Sequence, residues 1–179
     1  MERHLKLLSF LSRFWGAVQV IDQIDYNFST FDIQDFLQHI EAYRSRSLIV
    51  NYLPFGSDLF GFWYPAQHAD YIFINATLHP THRVHTLLHE IAHMLLDHRG
   101  VDLTTVLGAD ICEALGVEAG KGHLRSAIPG DILQEEEAEW FVLIVQRQIV
   151  NARRIRELYG DPTSLSAMWP YVSPLNYNG

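Results

Sequence analysis

An apolar helix that contains three polar side chains constrains the fold of this chain more than any other feature. Residues 87–96 read LLHEIAHMLL, so leucine, isoleucine, alanine and methionine surround two histidines and a glutamate. On an α-helix, His89 and His93 lie one above the other on the same face, and both imidazoles can reach one ion. Burying these polar groups without a partner would be costly. The spacing therefore predicts a metal-binding helix rather than a histidine-rich surface helix.

Glu90 adds a possible catalytic group to this helix. It lies about 100° around the helix from His89, which makes it a poor third ligand but leaves it within reach of a water on the metal. Zinc lowers the pKa of such a water to about 7, and a neighbouring carboxylate can accept its proton. The motif therefore predicts two metal ligands, His89 and His93, and one general base, Glu90.

A catalytic zinc site needs a third protein ligand, and the segment QEEEAEWFVLIV offers candidates. The three-histidine continuation of the motif is absent, because Leu96 and Arg99 occupy its later positions. Glu135 begins the stripe that faces the core in the last long helix, which continues with Ala138, Val142, Val145 and Ile149. We predict Glu135 as the third ligand, with Glu136 and Glu137 as alternatives. For most glutamates in a run like this one, the ordinary explanation is a solvent-exposed face at the start of a helix.

Three further side chains lie near these residues along the helices. Glu139, one turn after Glu135, can accept a hydrogen bond from a ligand histidine. His85, one turn before His89, is a candidate for the same supporting role, although a solvent-facing histidine is the more ordinary interpretation. His98 is expected to act as a favourable cation or cap at the C-terminus of the motif helix.

Composition narrows the class of protein. The chain has 179 residues, 48% hydrophobic and 19% charged, which fits one globular domain with a substantial core. A formal net charge of -8 disfavours direct nucleic-acid binding, which relies on clustered lysine and arginine. Lys6 and Arg13 interrupt the apolar N-terminal run, and no stretch has the roughly 18 apolar residues of a membrane span. The single cysteine, Cys112, fits a reducing compartment, so we expect a cytoplasmic protein without a membrane partner.

Hydrophobic periodicity and turn residues predict an α+β fold. In addition to the motif helix, which ends near Gly100, helices are expected at 2–20, 31–45, 101–115 and 133–158. Short strands are expected at 47–53, 59–64 and 70–75. The first two strands should pair as a hairpin in a small sheet, mixed or antiparallel, of about three strands, and residues 116–131 should form a loop.

Three segments together resemble the ImmA/IrrE family of metallo-endopeptidases, namely DYIFIN, TLLHEIAHMLLDH and EEEAEWF. The resemblance implies that His89, His93 and Glu135 bind one Zn²⁺ and that Glu90 is the catalytic base. It also implies a gluzincin-like use of an edge strand to hold an extended substrate, a role that would fall to residues 70–75. The resemblance covers roughly residues 70 to 145.

The chain departs from the family pattern and is interpreted as a divergent member. Ala92 replaces the usual glycine before the second histidine, and Val84-His85 replaces the usual Arg-Phe pair. Glu139 stands where Asp or Asn is usual, one methylene longer, and IVQRQIV replaces the Leu-Leu-Met-Pro that often closes the last helix.

The predicted architecture is one zincin-like domain over residues 1–179. A small sheet packs on the motif helix, and a long C-terminal helix carries the third ligand. Its parts are an N-terminal helical part, a zincin-like core and an irregular C-terminal tail, at 1–45, 46–160 and 161–179.

The leading functional prediction is a zinc-dependent endopeptidase, a hydrolase in which Glu90 activates a zinc-bound water. The family resemblance implies one specific protein substrate, commonly a helix-turn-helix transcriptional repressor encoded nearby, as on phages and mobile elements. The alternative is a non-proteolytic zinc-binding regulatory or toxin-like module that acts through partner binding. A purely structural zinc site would prefer four protein ligands, usually with cysteine. Another divalent ion could replace zinc, since metal choice also depends on availability.

Overall fold

Six α-helices and a mixed sheet make up the part of the chain that the computed structural model describes, residues 2–115, 121–126 and 132–159. The helices are α1 (Glu2–Ile24), α2 (Ile33–Arg44), α3 (Pro80–Leu95), α4 (Leu103–Leu107), α5 (Ala109–Ala114) and α6 (Ile132–Tyr159). The strands are β1 (Ser47–Leu53), β2 (Leu59–Pro65), β3 (Ala69–Asn75), β4 (Val101–Asp102) and β5 (Lys121–Ser126). The predicted α+β class is confirmed. The predicted irregular tail, 161–179, lies outside the described residues.

The described strands form one sheet in the order β1-β3-β2-β5-β4. β1 runs parallel to β3, from Ser47 opposite Ala69 to Leu53 opposite Asn75. β2 is antiparallel to both β3 and β5. The three predicted strands are therefore present, and β5 with the short β4 extends the sheet on one side.

Three expectations about this sheet are wrong. β1 does not form a hairpin with β2, because the chain crosses to the other side of β3, and the hairpin joins β2 to β3. β3 is a central strand rather than an edge strand, and the segment expected to be a loop, 116–131, contains β5. The consecutive residues Ile72, Phe73 and Ile74 are all buried, as in a strand that is covered on both faces.

A glycine in β2 allows α3 to lie close to the sheet. A Cβ at Gly61 would stand 2.8 Å from the Phe73 carbonyl oxygen and 2.8 Å from Thr86 Cγ2. A backbone oxygen in a packed sheet has little room to move, so a larger residue would force α3 away. Thr86 lies one turn before His89, and the close approach therefore sets the height of the histidines above the sheet.

The main core lies between α3, the sheet, and helices α1 and α6. Its fully buried members include Leu87, Leu88 and Ile91 from α3 and Ala138, Phe141, Val142 and Val145 from α6. Each large apolar side chain buried in this way contributes about 1.5–3 kcal/mol relative to exposure. This packing holds α6 against α3 and brings the acidic first turns of α6 to the histidines.

A buried aspartate joins the C-terminal end of α3 to the sheet. Asp70 Oδ2 accepts hydrogen bonds from Arg44 Nε at 3.2 Å and Arg46 Nε at 3.0 Å. Its Oδ1 accepts from Trp63 Nε1 at 3.1 Å. Arg44 also donates through Nη1 to the Met94 carbonyl, 3.1 Å away, which is one of the last carbonyls of α3. The network fixes the end of α3 beside the histidines.

The N-terminal helix α1 lies along α6. Arg13 Nη2 pairs with Glu136 Oε2 at 2.7 Å. Phe14 packs edge-on against Trp140 with ring centroids 5.5 Å apart. α1 therefore supports the helix that carries the acidic segment.

Among the described helices, none combines the length and the apolar character that crossing a membrane requires.

Candidate metal centre

The two motif histidines direct their Nε2 atoms at each other. His89 Nε2 and His93 Nε2 are 2.9 Å apart, and the side chains are 1% and 0% exposed. α3 presents them from successive turns of one face, as the i, i+4 spacing requires. The surrounding core side chains keep both rings out of water.

Glu135 on α6 reaches the same point. Its Oε2 lies 3.2 Å from His89 Nε2, and its Oε1 lies 3.5 Å from His93 Nε2. A tetrahedral Zn²⁺ with bonds of about 2.0–2.1 Å separates its donor atoms by about 3.3–3.4 Å. Separations of 2.9, 3.2 and 3.5 Å therefore fit a single zinc ion among these three residues. Two nitrogens and a carboxylate are also a usual zinc donor set.

The neighbouring glutamates have other partners. Glu136 pairs with Arg13, and its side chain is 48% exposed. Glu137 Oε2 lies 3.2 Å from His98 Nε2. Of the three candidates for the third ligand, Glu135 is the one that the fold brings to His89 and His93.

A second carboxylate contacts the other side of the His89 ring. Glu139 Oε1 lies 3.0 Å from His89 Nδ1, in an ion-pair contact that is not aligned as a straight hydrogen bond. Glu139 Oε2 also lies 3.3 Å from His85 Nε2, and Gln146 Nε2 lies 3.4 Å from His85 Nδ1. His85 is half-buried in this network rather than facing solvent. The extra methylene of Glu139, relative to the usual Asp or Asn, is accommodated.

His98 has a position that the sequence analysis missed. It was expected as a cation at a helix end, yet it is buried, and its Nδ1 lies 2.8 Å from His93 Nδ1. Burial lowers the pKa of His98 below its ordinary value, although Glu137 acts in the opposite direction. The sequence signal was the pair Asp97-His98 directly after the helix, since Asp tolerates the left-handed conformation that ends many helices.

Carboxylates contact the cluster of histidine rings at two points and favour protons on the nitrogens beside them. An ionised carboxylate only accepts, so Glu139 favours a proton on His89 Nδ1. Glu137 likewise favours a proton on His98 Nε2, which leaves His98 Nδ1 to accept from His93 Nδ1. Glu135 lies on the Nε2 side of both rings, so a cation held between the two Nε2 atoms and this carboxylate would take the place of a proton there.

Glu90 lies beside the donor cluster rather than in it. It is 0% exposed, with both carboxylate oxygens shut off from solvent. Within the described part of the chain, the groups of side chains spaced to hold a metal ion do not include it. In an HExxH motif, the glutamate at this position is the expected general base.

The described fold brings the HExxH motif of α3, at residues 89–93, into a cluster of side chains spaced to hold a metal ion. Residues 48–119 match the model of the peptidase M78 family described as the IrrE N-terminal-like domain. The resemblance to the ImmA/IrrE family is thereby confirmed, and the domain supports a metallopeptidase-type function. The match runs from β1 through α5, so it includes the histidines of α3 and leaves out α1, α2 and α6. No curated protein and no solved structure matches the chain.

Proposed function

We propose that the protein is a zinc-dependent endopeptidase that cleaves a specific protein substrate. The observation that carries this proposal is the pair of facing Nε2 atoms of His89 and His93, 2.9 Å apart, beside a buried Glu90. Glu90 directly follows the first of these histidines on α3, and this is the position from which a carboxylate can take a proton from a water on the metal. The peptidase M78 domain supports the same reading.

Three side chains would hold the ion: His89, His93 and Glu135. Zn²⁺ bound there would supply Lewis-acid chemistry, which polarises a carbonyl group and lowers the pKa of water to about 7. Glu139 lies 3.0 Å from His89 Nδ1 and would favour a proton on that nitrogen, which leaves Nε2 available as a ligand atom; His85 holds the Glu139 carboxylate in place.

Glu90 would act as the general base and then as the general acid. It accepts a proton from the attacking water while the water oxygen bonds to the scissile carbonyl carbon. It then returns this proton to the amide nitrogen as the C–N bond breaks, so the leaving group departs as a neutral amine. Its buried position strengthens these interactions, because the local dielectric constant is lower than that of water.

An extended substrate would pair with β5 in this proposal. β3 is central and has no open edge for a peptide. β5 contacts α3, and within the described residues β4 pairs with β5 only at Lys121 and Gly122. The remaining outer edge of β5 therefore offers backbone donors and acceptors to a peptide.

The substrate would be a transcriptional repressor or other regulator, which makes this a regulatory protease. This part of the proposal follows from the family resemblance, in which a helix-turn-helix repressor encoded nearby is the usual target. The acidic net charge of -8 fits a protein partner better than direct binding to nucleic acid.

The test compares the zinc-loaded protein with its Glu90→Gln variant in the native host, under resting and inducing conditions. Glu113→Gln, an exposed glutamate on α5, is the matched control. New protein N-termini are mapped by terminal labelling, and bound zinc is measured in each variant. We expect the wild type and both variants to bind equal amounts of zinc. One or a few new termini should appear with the wild type and with Glu113→Gln, and should be absent with Glu90→Gln. Equal zinc with identical termini in all three would refute the protease and leave a non-proteolytic module that acts through partner binding.

A further inference from the structure

The end of α3 folds back so that His98 lies against His93. Leu96 is the C-cap residue, and Asp97 follows with φ of 52°, in the left-handed region. The His98 backbone N–H donates to the His93 carbonyl oxygen at 3.1 Å. This bond, from two residues after the cap to three residues before it, is the Schellman arrangement. An apolar contact usually joins these two positions, whereas here two imidazoles meet with their Nδ1 atoms 2.8 Å apart.

A carboxylate on α6 continues the chain of contacts. Glu137 Oε2 accepts from His98 Nε2 at 3.2 Å, and the Glu137 side chain is 23% exposed. Since this carboxylate can only accept, it sets the direction of both hydrogen bonds and leaves the lone pair of His93 on Nε2. The orientation of a metal-ligating histidine is commonly fixed in this way by the partner of its other nitrogen.

A glycine on α1 leaves the space that Glu137 occupies. A Cβ at Gly16 would stand 2.0 Å from Glu137 Oε1 and 3.2 Å from Glu137 Cδ. An alanine at this position would displace the flexible carboxylate rather than the backbone of α6. The contact between Glu137 and His98 is therefore sensitive to a single methyl group on a different helix.

We propose that His98 and Glu137 position His93 for metal binding, and that Gly16 on α1 keeps Glu137 in place. The proposal rests on the metal centre of the proposed function and extends it to the N-terminal helix, which lies outside the family match. α1 would thus tune zinc affinity without contacting the ion.

The test measures zinc affinity by competition with a chromophoric chelator, and the absorption spectrum of the Co²⁺-loaded protein. Glu137→Ala and Gly16→Ala should each weaken zinc binding roughly 10–100-fold, the usual effect of losing a partner of a ligand histidine. Glu157→Ala, exposed on the same helix as Glu137, and Gly56→Ala, which has open space around its Cα, are the matched controls and should bind zinc as the wild type does. The Co²⁺ spectrum should change in the first pair only, because the His93 ring is reoriented.

Two further comparisons separate positioning from a general loss of structure. Alanine favours a helix over glycine, so Gly16→Ala should not lower the melting temperature of the metal-free protein. The double variant Gly16→Ala/Glu137→Ala should bind zinc no more weakly than Glu137→Ala alone, since both changes break the same contact. Wild-type zinc affinity in Glu137→Ala and in Gly16→Ala, or additive losses in the double variant, would overturn this proposal alone. A wild-type protein that binds no zinc would overturn the proposed function as well.

Discussion

Glu135→Gln should remove zinc-linked stability while leaving the metal-free fold nearly unchanged. Glutamine keeps the length of the side chain and the helix but takes the negative charge out of the donor set. The carboxylate oxygens of Glu135 lie 3.2 Å and 3.5 Å from the two histidine Nε2 atoms, and the side chain is 29% exposed. Most single substitutions cost about 0.5–3 kcal/mol, and this change, which preserves the shape of the side chain, should lie at the low end of that range in the metal-free protein.

The size of the effect follows from ligand linkage. With free zinc at about 1,000 times Kd, binding stabilises the wild type by about 4.1 kcal/mol. For a chain of this size, each kcal/mol raises Tm by about 2–4 °C, so zinc should raise Tm by about 8–16 °C. Losing a residue that only supports a ligand weakens metal binding by up to roughly 100-fold. Losing a ligand itself should weaken binding by more than that. At the same free zinc, the variant then gains at most about 1.4 kcal/mol, or about 3–6 °C.

Calorimetric unfolding in zinc buffers, with and without chelator, measures both quantities. Glu136→Gln is the matched control, because Glu136 pairs with Arg13 at 2.7 Å and is half-exposed. Losing such an ion pair costs at most about 1 kcal/mol and should leave the zinc-dependent rise in Tm intact. The assignment of the third ligand is refuted if Glu135→Gln keeps the full rise, or if Glu136→Gln loses it.

Two further predictions concern residues outside the metal centre. Asp70→Ala deprives Arg44 and Arg46 of their shared buried carboxylate and should cost about 3–5 kcal/mol in urea unfolding; a loss below about 1 kcal/mol would contradict this. Burial, and then the hydrogen bond to Asp35, raise the pKa of Tyr26 to about 12. This stabilisation is complete below about pH 10 and is lost as the pH rises through about 12. Ultraviolet titration should show a tyrosine step near pH 12 that Tyr26→Phe removes; removal of a step near pH 10 instead would contradict this.

The parts of the site that depend on local geometry could be predicted from the sequence. His89 and His93 share a face because any α-helix brings i and i+4 together. The helix period placed Glu135 at the start of the stripe that continues with Ala138 and Val142, both of which are fully buried, and left Glu136 and Glu137 as alternatives for the third ligand. These inferences needed only the period of the helix.

The order of the strands could not be predicted in the same way. The parallel pairing of β1 with β3 depends on packing across the whole sheet, including the close approach of α3 at Gly61. The run of apolar residues at 72–74 did contain a hint, because consecutive rather than alternating apolar residues are typical of a strand covered on both faces. The position of His98 depends on the left-handed conformation of Asp97. It could not be predicted, because the usual sequence signal for that conformation is a glycine.

The acidic segment of α6 shows why residue type alone was ambiguous. Glu135 and Glu139 share a helix face, and they reach opposite nitrogens of the same ring, that of His89. Glu137 points elsewhere and reaches His98, where α3 ends. The packing of α6 on α3 thus gathers three carboxylates around imidazoles, and burial favours the neutral form of His98. A divalent cation bound between the helices would compensate the charge that this packing concentrates, so metal binding and the packing of α6 against α3 should stabilise each other.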